Sequence, residues 1–224
     1  MFEAAAVTAA VNIVILLIVS GYDIGNGAAA GVLGIFMPFT DELVILWFEF
    51  AANIILSFAV QFLLIKRMEQ LWTMLCFYMR CGSRKKLFIS QKKNLYLLFG
   101  CIAAAKIITD MIWHFAFEVH IPAKTLAYIE ISFLLSSVLW LEFVYFMFAA
   151  GLKSMYCIFV ALAASCVSLL AVKFSKLSLF AYAQVKLSAK DIVIKLVLIC
   201  AFAVIGAVLI MKRDLLENSQ DGGK

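Results

Sequence analysis

Lys106, Asp110, His114 and Glu118 follow one another at intervals of four residues, a spacing that puts all four on one face of an α-helix. An ammonium, two carboxylates and an imidazole in one stripe carry the chemistry of ion pairing and of proton transfer. Charged groups at membrane depth are costly and face a protein interior or a water-filled cavity, so the stripe is a functional candidate. Two readings stay open. In the first, Lys106 and Asp110 neutralise each other as an i, i+4 pair, and His114 sits beside Trp113 at the membrane boundary. In the second, the stripe is a polar wall of a transport path, or a proton relay through His114.

Glu130 and Glu142 add two carboxylates in the next apolar segment. Their separation turns a helix by about 120° between them, so they do not make a paired-carboxylate site by themselves. Asn12, Glu49 and Lys195 also fall in apolar segments. Lys195 needs a partner at that depth, and Glu130, Glu142 or Glu49 could supply it. Asp110, Glu130 and Glu142 are the candidates for lining a substrate path. Ser136, Ser137, Ser165 and Ser168 are read as small residues suited to close helix contact.

Enzyme chemistry finds little support. His114 and His120 are the only histidines, and they belong to no HExxH or Cys/His ligand set, so no metal site is expected. Cys101 precedes His114 by too much helix for direct contact, which leaves no nucleophile–base pair along the chain. The six cysteines form no CxxC and are read as reduced packing residues. No GxxxxGK[ST] loop occurs, so this chain offers no P-loop for ATP. No catalytic residue is assigned.

The elements that must position these side chains are membrane helices. With 224 residues, 66% hydrophobic and 15% charged, and a mean hydropathy of +1.05, the chain reads as an all-α integral membrane protein. Six spans are expected, at about 4–20, 43–65, 95–116, 124–149, 154–172 and 191–211, each near the roughly 20 residues a crossing needs. They make one transmembrane domain over 1–211, followed by a polar tail at 212–224. Glu3, with no Lys or Arg before the first apolar run, argues against a cleaved signal peptide. The Gly/Ala-rich run GAAAGVLGIFMP after the first span is too short to cross and is expected to be re-entrant or to lie at the surface. KFSKLSLFAYAQVKLSAK, at 173–190, is expected as an amphipathic helix on the outer face.

Charge orients the spans. With the N-terminus in the cytosol, the segments 66–93, 150–153 and 212–224 hold twelve of the 19 Lys and Arg, against five in the outer segments. The positive-inside rule therefore favours cytosolic N- and C-termini. Eight of the bases lie in IKRMEQLWTMLCFYMRCGSRKKLFISQKK, residues 65–93. Within it Met68, Leu71, Trp72, Leu75, Cys76 and Met79 recur with helical period, which predicts a short amphipathic helix over 68–80. Cys81, Gly82 and Ser83 follow as a turn, and Arg84, Lys85 and Lys86 meet anionic headgroups before the next span begins near Leu95. The helix either joins two spans along the membrane surface or docks a partner through its apolar stripe.

A span closing on LLIKR, the helix MEQLWTMLCFYMR, the small-residue turn CGSRKK and the ending VLIMKRDLL together resemble ABC-2 type ABC transporter permeases. The resemblance covers the six-span topology in outline, and in residues it is confined to about 66–93 and 208–216. Two features depart from the family pattern: only three residues precede the first apolar run, where members have an elbow helix, and the Gly/Ala-rich run has no counterpart.

The resemblance implies the transmembrane subunit of an ATP-driven exporter in a bacterial plasma membrane. Such a subunit dimerises with itself or a sister permease, contacts membrane lipids, and binds a separate ABC ATPase that holds the ATP and magnesium. Its cargo would be hydrophobic or amphipathic, a peptide among the candidates. The coupling contacts would then be Glu69, Trp72, Met79 and Arg80 in the helix between spans two and three. The alternatives are a motor-free membrane substrate-binding or immunity protein and a proton-coupled transporter. No nucleic-acid partner is expected, because the net charge of +5 comes largely from the stretch that orients the membrane spans.

Overall fold

The computed structural model describes residues 2–22, 55, 58–72, 84–116, 123–175 and 189–212, and among them the secondary structure is entirely helical. Helix α1 is Phe2–Tyr22, α2 covers residues 58–72, α3 is Arg84–Ala116, α4 is Ala123–Ala149, α5 is Ser154–Ser175 and α6 is Ala189–Lys212. Three stretches are long and apolar enough to cross a membrane: Phe88–Ile112 in α3, Glu130–Ala149 in α4, and all of α6. This is a membrane protein. α1 and α5 carry the shorter apolar stretches Phe2–Val14 and Ser154–Ala164. Most of the expected second span, the Gly/Ala-rich run, residues 176–188 and the tail beyond Lys212 lie outside the described residues.

Two boundaries differ from expectation. The helix that enters 66–72 is continuous from residue 58, so Met68 continues α2 and does not begin a separate helix. Ile65, Lys66, Arg67, Met68, Glu69 and Gln70 include no helix breaker and are mostly strong helix formers, which explains the continuity. Likewise α3 begins at Arg84 and not near Leu95, so Lys85, Lys86, Lys92 and Lys93 project from a helix. Residues 73–83, with Met79, Arg80 and the expected turn, lie outside the described residues.

α4 is the hub. Of its membrane-length stretch 67% is buried inside the protein, against 11% for α6, because other helices surround it. Phe133, Leu139, Trp140, Leu141, Val144, Tyr145 and Met147 are all buried along it. Its sequence has neither Gly nor Pro, and it stops where Gly151 takes a positive φ of 92°. There the Leu152 N–H donates to Met147 O at 3.1 Å and the Gly151 N–H to Phe148 O at 3.0 Å, the paired closure of a Schellman cap. The chain then enters α5 at Ser154.

Side-chain pairs give the helix directions. Lys92 meets Glu142 and Lys106 meets Glu130, so α3 and α4 run antiparallel. Lys195 meets Ser136, and Phe202 packs on Phe143 and Phe146 at 5.2 and 5.4 Å between ring centroids, so α6 runs parallel to α4. Gly206 permits this approach: a Cβ there would stand 3.3 Å from Tyr145 Cδ1. The two most extensive helix pairings among the described residues are α4 with α6 and α1 with α3.

Candidate functional site

Three ammonium groups are held against α4 at three levels, near Glu130, Ser136 and Glu142. The first level joins α1, α3 and α4. Lys106 Nζ pairs with Asp110 on its own helix and lies 3.0 Å from Glu130 Oε1. Asn12 of α1 donates from Nδ2 to Asp110 Oδ1 at 2.8 Å and to Thr109 Oγ1 at 2.6 Å, while Thr109 Oγ1 donates to Lys106 O at 2.8 Å. Lys106 Nζ also stands 4.9 Å from the centre of the Phe133 ring. Asn12 and Lys106 are fully buried, Asp110 is 1% exposed and Glu130 is 9% exposed. Two oxygens of this buried group, Asn12 Oδ1 and Glu130 Oε2, have no hydrogen-bond partner among the described residues.

The second level joins α4 and α6. Lys195 Nζ donates to Ser136 Oγ at 2.8 Å, and Asp191 lies one turn earlier on α6, also buried. The third level again joins α3 and α4. Lys92 Nζ pairs with Glu142 and stands 3.9 Å from the centre of the Tyr145 ring. Tyr96 OH donates to Glu142 Oε1 at 2.7 Å, and Phe88 packs edge-on against Tyr145 at 5.9 Å. Every cation thus has an oxygen partner, as burial demands.

Of the path candidates, Asp110 and Glu130 come together around Lys106, and Glu142 stands apart at the third level. The local Lys106–Asp110 pair exists, but a third member from α4 joins it. Lys195 meets neither Glu130 nor Glu142: its hydrogen-bond partner among the described residues is Ser136, expected from the sequence as a small packing residue. A lysine needs only an oxygen within reach, and α6 faces the Ser136 side of α4. Glu49, Glu118, His120 and the side chain of His114 lie outside the described residues.

Lys92, Tyr96, Thr109 and Ser136 are the contributors that sequence reasoning passed over. By sequence alone Lys92 belongs to the basic stretch before the expected third span. Its distance of two heptads from Lys106 puts both lysines near one face of α3, and that spacing is the signal that could have found it.

A separate cluster forms where α2 ends. Ser154 Oγ donates to Glu69 Oε1 at 3.1 Å, Gln91 Nε2 donates to Leu71 O at 3.4 Å, and Trp72 packs on Phe148 at 6.2 Å. Glu69 is exposed and Trp72 is half-buried. The exposed lysines Lys66, Lys85, Lys86, Lys93, Lys153 and Lys212 gather at this end of the bundle, whereas Lys124 and Lys190 are the exposed lysines described at the other.

Among the described residues no group of three or more His, Cys, Asp or Glu is disposed to hold a metal ion. Cys101, Cys157, Cys166 and Cys200 are free thiols. No family model, curated protein or solved structure matches the chain.

Proposed function

We propose that this chain is the transmembrane permease subunit of an exporter whose ATPase is a separate protein, with a hydrophobic or amphipathic cargo. The observation that carries the reading is the attachment of the end of α2 to three other helices. Leu71, Glu69 and Trp72 contact α3, α5 and α4 in turn, through Gln91, Ser154 and Phe148. A push on this end from a partner is therefore passed to α4, the helix against which Lys92, Lys106 and Lys195 are held. The crowding of exposed lysines at the same end agrees with a cytosolic location. Glu69 stays accessible to a partner there, and the sequence resemblance of this region points to an ABC ATPase. The permease acts as a dimer with itself or a sister subunit.

The test is purification of the tagged chain from its native cell in mild detergent, with copurifying proteins identified by mass spectrometry. A P-loop ATPase in roughly equal amount is the expected result. Glu69→Arg, at an exposed position, should reduce its recovery while the melting temperature of the chain stays near wild type. A chain recovered without an ATPase, even after crosslinking in the cell, overturns the reading.

A further inference from the structure

We propose that Glu130 Oε2 binds one exchangeable proton, which makes the Lys106–Asp110–Glu130 cluster a buried proton-binding site without net charge. Among the described residues two carboxylates share a single ammonium here, so the fully ionised cluster would carry one uncompensated negative charge among residues at most 9% exposed. Such a charge is expensive away from water, and a group in that position is neutralised. A proton is the smallest neutralising ligand. A second cation would lie beside the Lys106 ammonium and be repelled by it.

The hydrogen bonds distinguish the two acids. Asp110 receives Lys106 on one oxygen and Asn12 Nδ2 on the other, so both of its oxygens have donors. Glu130 receives Lys106 on Oε1, and its Oε2 is buried without a donor among the described residues. A proton on that oxygen turns a bare acceptor into a hydroxyl donor beside the Asp110 carboxylate. Uptake takes one proton from water and forms one O–H bond. Release returns it to water and leaves the cluster with the excess negative charge.

The groups that face the site are Asn12 from α1, Lys106 and Asp110 from α3, and Glu130 from α4. From α6, packed on the same helix, Lys195 donates to Ser136, and the buried Asp191 lies one turn earlier on α6, where its charge acts on Lys195. The site goes beyond the proposed export role and holds whether or not an ATPase is recovered with the chain.

Infrared spectra of the full chain in lipid nanodiscs provide the test. At about pH 7 the wild type should show a protonated-carboxyl C=O band that shifts in D2O. Glu130→Gln should lose that band, and Glu142→Gln should keep it. A wild type without the band, or a band that survives Glu130→Gln, overturns the proposal. Thermal melts supply a second readout. Glu130→Gln exchanges a neutral acid for a neutral amide and should melt near wild type, whereas Asp110→Asn removes the acid whose two oxygens take Lys106 and Asn12 and should melt well below it. Equal losses in the two variants also overturn the proposal.

Discussion

Lys106 of α3 and Glu130 of α4 meet at 3.0 Å, and this contact joins an intrahelical ion pair to the most buried of the three membrane-length stretches among the described residues. Asn12 extends the same cluster to α1. The polar interior is thus a point where three helices are held in register.

Removing the shared cation should therefore be severe. Lys106→Met leaves Asp110 and Glu130 facing each other without an ammonium, and breaking a buried pair in this way costs about 3–5 kcal/mol. The melting temperature in nanodiscs should fall sharply. Adding Asp110→Asn and Glu130→Gln to the same chain should recover much of the loss, since the acids left without their ammonium go with it. A single variant that melts like wild type would refute the pairing.

Asn12→Ala removes the two donations that tie α1 to Thr109 and Asp110. With a hydrogen bond to a charged group worth about 1.5–3 kcal/mol, α1 should loosen while α4 and α6 stay packed. Hydrogen exchange read by mass spectrometry should then rise in residues 2–14 and stay unchanged in 133–149. A uniform rise across all helices would count against a local anchoring role.

The α4–α6 contact depends on Gly206. Its absent Cβ would stand 3.3 Å from Tyr145 Cδ1, so Gly206→Val forces Tyr145 or the α6 backbone to move, at about 1–3 kcal/mol. Cysteines placed by Phe143→Cys and Phe202→Cys, whose native rings lie 5.2 Å apart, should crosslink efficiently in the wild-type background and poorly with Gly206→Val. Equal yields would show that α6 does not need the close approach.

Lys92 and Glu142 form the ion pair at the other end of α3 and α4, with Tyr96 as a second donor to the carboxylate. A double-mutant cycle of Lys92→Met and Glu142→Gln should return a coupling energy of about 1–3 kcal/mol. Tyr96→Phe should cost about 1 kcal/mol. A coupling near zero would mean that the two side chains act independently.

Part of this arrangement is legible along the chain. The length of the apolar runs marks α3, α4 and α6, and the i, i+4 spacing marks Lys106 with Asp110. Both are local properties, since a helix repeats every 3.6 residues whatever surrounds it. Helix ends were less legible: Lys66 and Arg84 look like loop residues by charge, yet they continue helices because nothing near them breaks one.

By itself the sequence determined a hydrophobic helical membrane protein, its basic stretch, and the buried acids and lysines that need partners. Only the tertiary structure decided which partners they take: Glu130 for Lys106, Glu142 for Lys92 and Ser136 for Lys195. The physical reason is that contacts within a helix follow from spacing. Contacts between helices follow from rotation, direction and closeness, which here are set by packing around α4 and by the absence of a side chain at Gly206.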